Sequence, residues 1–185
     1  MNALTRQDGF RRVTVAQGET KVSRADDVVL TTVLGSCVAA CFYDPVVRVG
    51  GLNHYLLAEG HTDDPASMQR YGLYAMEVLI NEMLKMGAVR HRMKARIFGG
   101  ASMHRGFRDI GGANIAFARR FLQDERIPLV GEDVGGTCAR RVEFRAALGL
   151  ARCRSVADTP VPVVQRPVRP VPVAPPETTG DVEFF

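Results

Sequence analysis

No tryptophan occurs in this chain of 185 residues, and cysteine is confined to four positions, 37, 41, 138 and 153. Without Trp, the core must be built from Leu, Val, Ile, Met and Phe, and an apolar share of 46% is enough for one. The four cysteines show no paired framework of the kind that staples small secreted domains. No apolar run approaches the ~20 residues that a transmembrane helix needs. Residues 1–12 (MNALTRQDGFRR) lack the apolar stretch of a signal peptide. The expectation is a cytoplasmic protein without membrane insertion, in a reducing compartment that keeps its cysteines as thiols.

An excess of one charge is also missing. The net charge is +4 and the isoelectric point near 9.1. The arginines between 119 and 154 are interleaved with acids and apolar residues. Such a surface is ordinarily solvated, and no nucleic-acid-binding motif accompanies it. Phosphate loops are absent too. Gly99-Gly100 follows a strand-like run, but neither G-x-x-x-x-G-K-[ST] nor G-x-G-x-x-G is present. Nothing calls for a cofactor. The length suits one domain.

What is there reads as short strands and two helices. Val13–Ala16, Val28–Thr32, Lys94–Phe98, Pro128–Asp133, Arg140–Ala146 and Ala151–Val156 have strand character. Asp64-Pro65 is a helix start, with Asp as cap and Pro in the first turn. The helix runs to about residue 86, with Tyr71, Ala75, Val78, Leu79, Met83 and Met86 as its apolar stripe and Gly87 as its stop. A second helix, 115–125, opens at Asn114 and buries Ile115, Ala118, Leu122 and Phe121. The fold class is α+β, a compact sandwich of mixed, mostly antiparallel sheet with packed helices. Residues 1–12 form a loose N-terminus and 13–157 the folded domain. Seven of the ten prolines fall between 160 and 176. Residues 158–185 are therefore an extended, disordered tether ending in an acidic–aromatic peptide, either a docking tag or a frayed terminus.

One stretch carries the chemistry: Thr31 to His54, TTVLGSCVAACFYDPVVRVGGLNH. Residues 38–43 and 49–57 are apolar runs around Asp44-Pro45, a turn opener, and so form a hairpin. A turn centred between Pro45 and Val46 puts Cys37 opposite His54. A shift of one leaves the two as diagonal neighbours, still in reach of an imidazole. Gly35-Ser36 precede the cysteine, and a tight turn there can gather backbone N–H groups into an oxyanion hole. A thiol next to an imidazole is a nucleophile next to its base. Thr31 or Thr32 can orient the ring through a hydroxyl or a carbonyl. Two other accounts exist. A cysteine in an apolar run is often packing. A metal site of Cys37, Cys41, His54 and His61 fails on distance, since four strand residues span roughly 13 Å.

Thr31-Thr32-Val33-Leu34-Gly35-Ser36-Cys37, followed by Asp44-Pro45 and Gly50-Gly51-Leu52-Asn53-His54, resembles the signature of the CheD family, the chemoreceptor glutamine deamidases of bacterial chemotaxis. The resemblance continues through Arg70-Tyr71, Lys94 to Ala101, Ile110-Gly111, Asn114-Ile115 and Glu132 to Gly136, and covers roughly residues 10–155. It departs at Ala139-Arg140, where the family usually has Gly-Arg. The resemblance implies a fold distantly like that of the cytotoxic necrotising factor toxins. It implies Cys37 as nucleophile, His54 as base and Thr31 as third catalytic residue, with Gly35 and Ser36 forming the turn and no metal or cofactor. It places Gly99-Gly100 near the site, with Met103, His104 and Phe107 as a rim for a protein substrate. That substrate would be glutamines on the cytoplasmic helices of chemoreceptors, and a CheC-type phosphatase would be a partner. Two rival functions remain at this point. One is another cysteine hydrolase or acyl transferase using the same pair. The other is a non-catalytic docking module.

Overall fold

Strand alternation, with apolar residues on every second position or on both faces, decides the architecture. The computed structural model describes residues 9–57, 65–102 and 109–156. The Asp64 cap, His61, Met103, His104, Phe107 and the tail from 158 lie outside the described residues. Nine strands are described: β1 (Arg11–Thr14), β2 (Thr20–Ser23), β3 (Val28–Leu34), β4 (Val38–Asp44), β5 (Val49–Tyr55), β6 (Lys94–Gly99), β7 (Leu129–Val134), β8 (Ala139–Arg145) and β9 (Leu150–Val156). Helix α1 (Pro65–Lys85) lies between β5 and β6, and α2 (Ile110–Asp124) between β6 and β7.

The strands form two sheets, in the orders β1-β3-β8-β9 and β2-β5-β4-β6-β7. The β1/β3 and β6/β7 pairs are parallel and the others antiparallel. One core lies between the sheets and gathers Leu30, Leu34, Ala39, Cys41, Leu52, Val142 and Phe144. The second lies between the five-stranded sheet and the helices and gathers Phe42, Tyr55, Met76, Ile80, Ile97, Phe117 and Phe121. The fold is thus the α+β sandwich that the strand and helix patterns lead one to expect. Strands β4 and β5 are apolar on both faces because each face meets a core.

Three boundaries differ from expectation. Strand β2 carries no strong apolar alternation and was not anticipated; its place is set by pairing with β5. The buried stripe of α1 centres on Met76, Leu79, Ile80 and Met83, and Tyr71, Ala75 and Met86 lie at its margin. Helix α2 starts at Ile110 because the Asp109 side chain accepts from the Gly112 N–H and caps it, which outweighs the poor helix propensity of Gly111-Gly112.

The hairpin register is also corrected. Asp44 faces Val49 and Ala39 faces His54, so the loop holds four residues and Cys37 is diagonal to His54 rather than opposite it. The longer loop follows from Asp44. Its Oδ1 accepts from Val46 N at 2.9 Å, and its Oδ2 takes Val89 N at 2.9 Å and the Arg92 Nη2 at 2.8 Å. The side chain is fully buried. Burial alone would raise its pKa, but the Arg92 guanidinium and the N–H groups of Val89, Val46 and Val47 outweigh that and hold it below the ordinary aspartate value. Arg48 closes the loop in the left-handed region, at φ 56°.

Two results are expected from this anchor. Asp44→Asn loses about 2–3 kcal/mol of stability in urea unfolding, the worth of charged hydrogen bonds left without their acceptor. The carboxyl binds protons more weakly in the folded state, so its contribution is complete above an aspartate's ordinary pKa of about 4 and is lost as pH falls through the lower folded value. Wild type, compared with Asp44→Asn across that window, therefore loses the extra stability while the mutant does not.

Candidate active site

The ladder of β4 and β5 places Ala39 against His54. Alternation then sends the side chains of Cys37, Ala39 and Cys41 from one strand, and of Leu52 and His54 from the other, into the space between the sheets. Cys37 is 8% exposed and His54 6%. The ring is gripped from the facing sheet. The Thr32 hydroxyl on β3 lies 2.9 Å from His54 Nδ1 and 2.8 Å from the carbonyl oxygen of Val15.

That geometry decides the tautomer. A carbonyl can only accept, so the single Thr32 hydroxyl proton goes to Val15. The Thr32 oxygen must then accept from His54, and Nδ1 carries the ring proton. The Val15 carbonyl, 3.4 Å from Nδ1, reinforces the choice. Nε2 is left with its lone pair. It is buried and has no hydrogen-bond partner among the described residues. Burial pushes the imidazole pKa down, and the Val15 carbonyl opposes this only in part. A neutral imidazole with a bare, desolvated Nε2 is a base awaiting a proton.

Of the two threonines that could orient the ring, the structure places Thr32 on it. Consecutive strand residues point to opposite faces, so with Thr32 on the imidazole the Thr31 side chain faces away from it. The Thr31 backbone contributes differently: its carbonyl accepts from Val15 N at 2.8 Å and so fixes the Val15 carbonyl that Thr32 needs.

The turn before Cys37 is held by its carbonyls. Gly35 O accepts from Ala101 N at 2.8 Å, Ser36 O from Asn114 Nδ2 at 2.9 Å, and Cys37 O from Gly100 N at 2.7 Å. In a trans peptide the N–H points opposite to the C=O. The N–H groups of Ser36 and Cys37 therefore point away from α2 and from the 99–101 segment. Gly99 has to be glycine here: at φ 102° an added Cβ would sit 2.2 Å from the Cys37 carbonyl oxygen. Gly99-Gly100 thus lies against the backbone of Cys37. Arg140, nearly buried, ties the same segment to the end of β7, donating to the carbonyl of Gly99 at 3.4 Å, to Asp133 Oδ1 at 2.8 Å and to the carbonyl of Gly135 at 2.6 Å.

Three contributors escaped the sequence reading. Asn114 is fully buried, and its Oδ1 accepts from Leu57 N at 2.9 Å while its Nδ2 holds Ser36. A polar residue in register with the Ile115–Ala118–Leu122 stripe was the available signal. Arg140 had none beyond its place after Ala139. Gln17, in the turn between β1 and β2, accepts a hydrogen bond from Cys37 Sγ at 3.2 Å, and no local pattern marks it.

The other cysteines are chemically quieter. Burial pushes the Cys41 thiol far up, against a nearby Arg96 charge. Burial and Asp133 push Cys153 up to about 12. Among the described residues, no group of three or more His, Cys, Asp or Glu side chains stands together to hold a metal. A groove of about 430 Å³, lined by Lys21, Tyr71, Tyr74 and Met86 among others, runs between β2 and α1. Its lining also includes Asn53 and His54 of β5.

An α+β sandwich with a thiol and an oriented, neutral imidazole on neighbouring strands defines a thiol–imidazole protein equipped for nucleophilic chemistry on a carbonyl. The family model described as CheD chemotactic sensory transduction matches residues 56–155. A Zymomonas mobilis protein named probable chemoreceptor glutamine deamidase CheD is 59% identical over 96% of this chain and 94% of its own. A Caulobacter protein of the same name is 52% identical over 94% of this chain and 93% of its own. A solved structure from Neisseria meningitidis, of family DUF152, aligns with TM-score 0.45 and 13% identity over 70% of this chain and 64% of that one. The chain belongs to the CheD family.

Thr32→Val keeps the shape of the side chain but removes the acceptor for Nδ1. Loss of such an orienting partner is expected to lower turnover about 10- to 100-fold, and Thr32→Ser should restore most of it. Equal rates for Val and Ser variants would show that the hydroxyl does not set the ring.

Proposed function

We propose that this protein hydrolyses the side-chain amide of glutamines on the cytoplasmic helices of chemoreceptors, giving glutamate and ammonia. The observation that carries the reading is the bare, buried Nε2 of His54, on the same side of the hairpin as Cys37. His54 takes the Cys37 proton and the thiolate attacks the amide carbon. The oxyanion is met by N–H groups of the turn at Ser36 and Cys37, which the carbonyl contacts keep aimed away from α2. The imidazolium returns its proton to the departing nitrogen, and ammonia leaves as the C–N bond breaks. Water, deprotonated by His54, then hydrolyses the thioester and frees Cys37. No step needs a metal or an organic cofactor.

The roles are assigned within this proposal. Cys37 is nucleophile, His54 base and acid. Thr32 holds the ring and Thr31 secures the Val15 carbonyl. Gly35 and Ser36 shape the turn, Asn114 locks it, and Gly99 and Gly100 back it. The catalytic domain runs from β1, which begins at Arg11 rather than at the expected residue 13, to about residue 157, and 158–185 form a tether. No helix among the described residues is long and apolar enough to cross a membrane. The proposal places the protein in the cytoplasm, where its receptor substrates expose their helices and Cys37 stays reduced. Family membership supports the chemoreceptor as substrate, through the names its relatives carry. A CheC-type phosphatase is proposed as a second partner on the sequence resemblance alone, and nucleic acid is not.

Ammonia release and glutamine-to-glutamate conversion on a purified receptor cytoplasmic fragment test this directly. Wild type should show both and Cys37→Ala neither. Conversion by both proteins would mean a different nucleophile, and peptide cleavage or amine incorporation in place of hydrolysis would mean a different reaction. The acidic limb of the kcat/KM profile should lie below pH 6.5, because the folded imidazole is harder to protonate than a free one.

Asn114→Ala separates positioning of the turn from reactivity of the thiol. Releasing the Ser36 carbonyl should cost deamidation up to about a hundredfold, toward the loss of an oxyanion donor. Alkylation of Cys37 by iodoacetamide builds no oxyanion, so its rate should stay near that of wild type. A parallel fall in both would reduce Asn114 to a general structural role.

A further inference from the structure

The turn joining β1 to β2 crosses from one sheet to the other at the mouth of the site, and it presents a primary carboxamide to the nucleophile. Gln17 is exposed, yet its Oε1 accepts a hydrogen bond from the nearly buried Cys37 Sγ at 3.2 Å. A carboxamide is the functional group that the proposed reaction attacks. Resting on the deamidase reading above, we propose that the space holding the Gln17 side chain is the carboxamide subsite, and that Gln17 is its resident occupant, displaced by each incoming substrate glutamine.

The backbone around Gln17 makes it a fixture. Gly18 N donates to the His54 carbonyl at 2.7 Å, and His54 N donates to the Glu19 carbonyl at 3.1 Å. Within the turn, Glu19 N reaches the Ala16 carbonyl at 3.0 Å and Glu19 Oε2 accepts from Ala16 N at 3.1 Å. Gly18 sits at φ 81°, a conformation that an L side chain rarely adopts. Two residues before Gln17 stands Val15, whose carbonyl fixes Thr32 and His54. The turn that orients the base therefore also sets the carboxamide on the thiol.

The pose also explains why Gln17 is not consumed. In a productive complex the amide oxygen lies among backbone N–H donors, and the sulfur faces the amide carbon as a thiolate. Here the amide oxygen takes the thiol proton, so it faces the sulfur itself. That hydrogen bond favours the protonated thiol over the thiolate. Gln17 thus holds the subsite in a form that binds but does not react. The ligand class that replaces it is a primary carboxamide on a flexible two-methylene arm, the side chain of glutamine.

The test uses the full chain. Cys37 alkylation by iodoacetamide, followed by mass spectrometry of the Cys37 peptide, reads the contact whether or not any receptor is deamidated. Gln17→Ala should alkylate several-fold faster than wild type. Gln17→Glu, which keeps a stronger acceptor on the thiol and adds a negative charge, should alkylate more slowly. On a receptor fragment, Gln17→Ala should lower KM several-fold. Residue 17 of wild type should remain glutamine after prolonged incubation. Unchanged alkylation in both variants would overturn the proposal. So would conversion of Gln17 to glutamate in wild type but not in Cys37→Ala, because the residue would then be a substrate rather than an occupant. A raised KM in Gln17→Ala would overturn it as well, by showing that Gln17 assists binding. Faster alkylation of Gln17→Ala with no receptor deamidation by any variant would keep the contact and sink the deamidase reading alone.

Discussion

The hydrogen bond from the Thr32 hydroxyl to the Val15 carbonyl is the interaction on which the site depends. It is short, buried and unambiguous in direction, because only one partner has a proton. Everything downstream is forced by it: the proton on Nδ1, the bare Nε2, the orientation of the ring. It also joins the architecture to the chemistry. Thr32 belongs to the four-stranded sheet and His54 to the five-stranded one, so the bond sequence Val15–Thr32–His54 crosses the space between them. Sheet packing is a precondition of this tautomer.

The same space sets the energetics. It is lined by Leu30, Leu34, Leu52, Val142 and Phe144, a poor place for an imidazolium. Desolvation therefore keeps His54 neutral at rest, with the lone pair of Nε2 open. The second group of polar atoms, around Ser36 and Cys37, works by a different principle. Three successive carbonyls are each given a donor, from Ala101, Asn114 and Gly100. With every carbonyl committed on one side, the peptide planes cannot flip without breaking a buried bond.

Much of this was legible in the residues, and the limits have physical reasons. The α+β class, eight of the nine strands and both helices follow from period and turn chemistry. The short edge strand β2 does not, because its place comes from pairing with β5 rather than from its own pattern. The Cys37–His54 association follows from a hairpin, but its register depends on a loop length set by Asp44, whose partners Val89 and Arg92 lie far along the chain. Choosing Thr32 over Thr31 needs the face each presents, and that is fixed only once β3 has met β1 and β8. Asn114, Arg140 and Gln17 are long-range contributors, and no local spacing connects them to residue 37.

The order β2-β5-β4-β6-β7 puts the strand after Cys37 in the middle of its sheet, bonded along both edges. Amide protons of β4 can exchange with solvent only when β5 or β6 separates from it, which approaches global unfolding in free energy. Chemistry is thereby anchored in the slowest-opening part of the molecule. Breathing on the timescale of turnover belongs to segments bonded on fewer sides than β4. The protein divides its labour by timescale: a nearly static reaction centre, reached through a rim that yields.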